Sequence, residues 1–146
     1  MQLRYLLLQA TLDIEHSLKT FIVAKITENK EEDGYDIVRR FFHSTAYSKK
    51  VLTKDSILES VKNKSHYQYK LYETHKAAPS SWVLMEVISF GDFLRFFEFY
   101  FKSYSKSNEF NINSLMGVLN SVKRIRNACA HNNAFLFDLA NSDIKR

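Results

Sequence analysis

The chain has 146 residues, 45% hydrophobic and 25% charged, which describes one globular domain with a real core and excludes a disordered segment. An excess of 21 Lys and Arg over 16 Asp and Glu leaves a net charge of +5, a surface that favours nucleic acid or another polyanion. The single cysteine, Cys129, excludes an internal disulfide and suits a reducing compartment, while one proline, three glycines and long 3.6-residue periodicity point to an all-α bundle.

Met1 to about Glu28 reads as one long helix, with Leu3, Leu6, Leu7, Ala10, Ile14, Leu18, Phe21, Ile22 and Ile26 at helical spacing. Glu15 and Lys19 make a favourable i, i+4 pair on it. Asn29 to Gly34 is a charged turn, followed by a short helix from Tyr35 to Phe42 that buries Ile37, Val38, Phe41 and Phe42. Arg39, Arg40, Lys49, Lys50 and Lys54 make this part of the chain basic. Thr53 or Asp55 caps a helix from about Lys54 to Lys64, burying Ile57, Leu58 and Val61. Ser65 to Tyr72 mixes aromatic and polar residues, which is either a packing seam or a surface on which RNA bases stack.

Pro79 with Ser80 or Ser81 starts a helix expected to run from Trp82 to about Ser103, with a kink at Gly91. Its charges, Glu86, Asp92, Arg95 and Glu98, exclude a bilayer span despite its apolar character. The aromatics from Phe93 to Phe101 outnumber what one face of a small monomer buries, so they form a thick core or a subunit interface. Glu86 lies among apolar residues one turn after Trp82. A buried carboxylate needs a cation, and Arg126 is the expected partner that Glu86 orients.

The last long helix starts at a cap on Asn111 or Asn113 and buries Leu115, Val118, Leu119, Val122, Ile125 and Cys129. Arg126 lies on the margin of that face, and Lys123, Asn127 and His131 form a polar stripe at i, i+4, i+8. Asn132 and Asn133 end the helix, Phe135 to Leu139 dock a short tail, and residues 140–146 fray. His66 and His75 lack the spacing of metal ligands, so no metal site and no cofactor are expected.

Arg126-Asn127-x3-His131 has the form of an Arg-x4-6-His motif and resembles the HEPN superfamily of small helical nucleic-acid-processing domains. Pro79-Ser-Ser-Trp82-x3-Glu86-x2-Ser89-Phe90-Gly91, followed by Ile125-Arg126-Asn127-x-Cys129-Ala130-His131, is similar to the Abi-like abortive-infection proteins of bacteria, of the AbiD/AbiF type. The resemblance covers about Met1 to Phe137 as one HEPN-like domain. It implies a metal-independent endoribonuclease of a phage-defence or toxin–antitoxin-like system, acting in the bacterial cytoplasm. Arg126, Asn127 and His131 would be catalytic, with Lys123 and Arg124 on the RNA backbone. Members of this group usually carry more chain before the first helix, so this sequence is a short or truncated member. Asn133 replaces the tyrosine that some HEPN toxins carry as a modification site, and that control is not carried over.

The residue types suit the chemistry independently. RNA supplies its own 2′-OH nucleophile, an imidazole exchanges protons near neutral pH, and a guanidinium fork stabilises the charge that develops on phosphorus. The alternative reading makes Arg126 a structural ion-pair residue and His131 a C-terminal cap on a non-catalytic module that binds RNA or an antitoxin. Five residues along an ideal helix turn the two side chains about 140° apart, with roughly 7.5 Å of rise between them. A homodimer with facing motif helices would bring both types of group to one cleft. The expected partners are therefore RNA, a second copy of the chain, and an antitoxin that is either protein or small RNA.

Overall fold

The computed structural model of the protein describes residues 2–45, 58–104 and 111–131, all helix or turn with no strand among them. Six α-helices follow in order: α1 (Gln2–Glu28), α2 (Asp36–Thr45), α3 (Tyr69–His75), α4 (Ser81–Val87), α5 (Phe90–Tyr104) and α6 (Ile112–Ala130), with a 3-10 turn at Glu59–Lys62. The basic residues Lys49, Lys50 and Lys54, the caps at Thr53 and Asp55, and everything expected beyond His131 lie outside the described residues. The chain divides into two compact units, one of Met1–Leu18 with Ser105–Arg146 and one of Lys19–Tyr104.

The second unit is built around phenylalanine. Phe93, Phe96 and Phe97 on α5 and Phe41 on α2 are buried, and Phe41 meets the edge of Phe96 with ring centroids 5.1 Å apart. Phe93 meets Phe97 at 5.9 Å and Phe97 meets Phe101 at 4.8 Å, so each ring adds an edge or tilted contact to its area burial. Ile22 and Ile26 of α1, Ile37 and Val38 of α2, and Leu58 and Val61 at the 3-10 turn complete this core. Most of the aromatics between Phe93 and Phe101 are thus taken into this core. On α5, Phe90, Phe93, Phe96, Phe97 and Tyr100 are buried, and Phe99, Phe101 and Tyr104 are half-buried.

The stretch expected as one kinked helix is two, and the break comes before Gly91. Ile88 is extended (φ −79°, ψ 139°) and ends α4. Ser89 then caps α5: its Oγ accepts from Asp92 N at 3.2 Å and donates to Asp92 Oδ2 at 2.8 Å. The Ser89 hydroxyl takes the Asp92 N–H that a continuous helix would direct to the Ile88 carbonyl, so the chain restarts there. Upstream, Ser80 caps α4 as expected, accepting from Val83 N at 3.4 Å.

In the first unit the packed faces depart in part from those expected. On α1, Thr11 is buried, its hydroxyl donating to the Leu7 and Leu8 carbonyls, whereas Leu3, Leu6 and Ile14 are exposed. On α6, Leu119 and Cys129 are buried and Leu115, Val122 and Ile125 half-buried as expected, Met116 and Ala128 are buried besides, and of the expected face only Val118 is exposed. Periodicity alone does not separate one apolar stripe from a second one beside it, and both helices carry two.

Candidate functional site

Asn111 starts the helix that carries the motif, its side chain accepting from Ser114 N at 3.1 Å. The helix is regular to Ala130, and His131 is its C-cap, with its backbone N–H donating to the Asn127 carbonyl at 3.0 Å. The motif therefore keeps helical phase over nearly its whole length. Arg126 is half-buried on the packed side, whereas Asn127 and His131 are exposed. Lys123 is half-buried beside them and Arg124 is exposed, so both keep access to a polyanion.

Arg126 is held at two points. Its Nε lies 3.6 Å from Oε2 of Glu15 on α1, and its Nη1 donates to Asn127 Oδ1 at 3.3 Å. The Glu15 separation is an ion pair and too long for a good hydrogen bond. The Glu15 side chain is only 12% exposed and that of Arg126 30% exposed, so the attraction acts across a partly dehydrated gap. The result is a guanidinium with a carboxylate behind it and an amide oxygen beside it. A fork with five donors can hold both and still meet a phosphate.

The burial expected of Glu86 is not found. Glu86 is exposed on α4, as is Trp82 one turn earlier, so it bears no burial cost that would call for Arg126. Its backbone carbonyl accepts from Gln68 Nε2. Glu15, which the sequence suggested only as a helical partner of Lys19, is the carboxylate found against the arginine. A signal for it existed: Glu15 follows the buried Thr11 by four residues and precedes the buried Ile22 by seven, on one side of α1. Lys19 Nζ donates to the Ile88 carbonyl at 3.2 Å.

Among the described residues no three His, Cys, Asp or Glu side chains gather as a metal-binding group. No helix among them is long and apolar enough to cross a membrane. Cys129, buried one turn beyond Arg126, is a small packed side chain there.

No curated protein and no solved structure matches the chain. The family model of the Abi-like protein does match, over residues 1–136, which takes in both units and the entire Arg126–His131 motif. With that span covered, the chain belongs to the Abi-like protein family.

Proposed function

We propose that the protein is a metal-independent endoribonuclease of the HEPN type, acting in the bacterial cytoplasm in phage defence or a toxin–antitoxin-like system. The observation that carries this reading is the clamping of Arg126 by Glu15 and Asn127 at the end of α6, with His131 exposed beyond it. Membership of the Abi-like family supports the phage-defence setting.

In the reaction the 2′-oxygen attacks the adjacent phosphorus while its proton leaves to a base. The 5′-oxygen departs with a proton from an acid, leaving a 2′,3′-cyclic phosphate and a 5′-OH. Arg126 stabilises the charge on the non-bridging oxygens during this passage, and His131 carries a proton. Asn127 steadies the guanidinium and is within reach of the same phosphate. Lys123 and Arg124 hold neighbouring phosphates.

Arg126 faces the packed side of α6 and His131 lies at its end, so one chain presents them to different flanks. We propose a homodimer whose two motif helices face each other and share one cleft. Leu3, Leu6 and Ile14, exposed on α1, supply apolar surface for such self-association. An antitoxin, protein or small RNA, would act by covering that cleft.

The test is cleavage of RNA in EDTA by wild type, Arg126→Ala, Asn127→Ala and His131→Ala. Cutting that survives chelation, leaves cyclic phosphate ends, and is lost in the Arg126 and His131 variants is the expected result, with a smaller loss for Asn127. Mixing the Arg126 and His131 variants should restore part of the activity if one site draws on both chains. Binding of RNA without cutting by wild type would make the chain a binding module instead.

A further inference from the structure

Trp82 belongs to the block from Pro79 to Gly91 that the catalytic reading leaves unused, and it is 60% exposed. Tyr35, at the entrance to α2, is 55% exposed. Both rings edge one cleft of about 520 Å³ in the second unit, which His75, Ser80, Leu71 and Val83 also line. A large ring left this open costs solvation, and two on one cleft are a surface rather than a scatter of single residues.

The backbone segments that carry the two rings are tied together. Ser81 N donates to the Gly34 carbonyl at 2.8 Å, tying the residue before Tyr35 to the residue before Trp82. At Gly34 a Cβ would stand 3.1 Å from Ser81 Oγ, so the two backbones pass close with little slack. The backbone at the rim of the cleft is therefore tied where the two ring-bearing residues begin, which lowers the cost of ordering it around a ligand.

We infer that this cleft binds a nucleobase of single-stranded RNA, stacked against Trp82 or Tyr35. Its size suits one base with its sugar. Among the described residues no Lys or Arg lines it, and Glu32 stands in its wall, ion-paired with Arg40. The Glu32 side chain is only 1% exposed and is held by Arg40, so the polar groups left to meet the edges of a base are the His75 ring and the Ser80 hydroxyl. Base–aromatic stacking tolerates sequence, so the cleft would hold a strand without reading it closely.

This extends the ribonuclease reading to a second contact with the strand, and it can fail separately from that reading. Trp82 is the only tryptophan, so its emission reports on the cleft directly. The probes are adenosine monophosphate and a labelled single-stranded 2′-O-methyl oligonucleotide, which lacks the free nucleophile and is not cut. Both should quench Trp82 saturably in wild type. By anisotropy of the labelled strand, Tyr35→Ala and Trp82→Ala should bind about tenfold more weakly, while Trp82→Phe, which keeps a stacking face, should bind nearly as wild type. Circular dichroism checks that each variant is folded. The inference is overturned if the strand binds without changing Trp82 emission, if Tyr35→Ala and Trp82→Ala bind as wild type, or if neither probe binds. It is overturned too if a proline-rich peptide quenches Trp82 where the nucleotide does not. RNA cutting without quenching would sink the cleft and leave the nuclease; quenching without cutting would do the reverse.

Discussion

Replacing Glu15 by Gln keeps the shape of the side chain and removes the charge behind Arg126. At 3.6 Å and an effective dielectric of about 20, the attraction is about 4–5 kcal/mol before desolvation is counted. Exposed pairs return about 0–1 kcal/mol of this, whereas removing one partner of a fully buried pair costs about 3–5 kcal/mol. With side chains 12% and 30% exposed, the pair sits between those limits, and a loss of about 2 kcal/mol is expected. That is roughly a thirtyfold change in the folded-to-unfolded ratio and a fall in Tm of about 6 °C. The assay is urea denaturation followed by circular dichroism, in a cycle of Glu15→Gln, Arg126→Gln and the double variant. The coupling should be about 1–2 kcal/mol, because the double variant no longer leaves a charge alone. Labelling of Cys129 gives a local reading, since this thiol is 5% exposed and lies one turn past Arg126. It should react faster in Glu15→Gln under native conditions. A coupling below about 0.5 kcal/mol, with unchanged Cys129 labelling, would refute the pairing as a force that holds α6.

Phe96→Ala should cost about 3–5 kcal/mol, because the ring is fully buried and loses its edge contact with Phe41; urea denaturation followed by Trp82 fluorescence measures it. Ser89→Ala should cost about 1 kcal/mol by removing the cap of α5, and Ser89→Asp, which can still accept from Asp92 N, should recover less than Ser89→Asn because it sets two carboxylates together; thermal unfolding ranks the three. Hydrogen bonding from Arg39, then from Arg40, holds the Asp36 carboxyl below its ordinary value near 3.8. A depressed folded value gives stability that is present above the unfolded value and lost as pH falls through the folded one. Between about pH 5 and 2 the Tm of wild type should therefore fall more steeply than that of Asp36→Asn, and parallel curves would count against the pairing.

The helical class and the position of the motif were legible in the chain because both rest on local physics. Scarce glycine and proline, helical spacing, and caps such as Asn111 and Ser80 act within a few residues, and α6 begins at one of the two caps those signals offer. The Ser89 cap was equally local: Ser89 and Asp92 stand at capping-box spacing, and the pairing that splits the stretch into α4 and α5 could have been read there.

Which apolar stripe is buried is a different kind of question. Leu3, Leu6 and Ile14 satisfy helical spacing as well as any core residue, yet they face solvent while Thr11 is buried with its hydroxyl turned back on the α1 backbone. The partner of Arg126 was open for the same reason. Glu86 and Glu15 are both carboxylates on helices rich in apolar residues, and only packing decides that one is exposed and the other set against the guanidinium. Glu15 and Arg126 are more than a hundred residues apart in the chain, and no periodicity relates them. Local propensity placed the arginine on a helix face; tertiary structure chose the charge that holds it, because the cost of burying either charge alone depends on what other elements bring beside it.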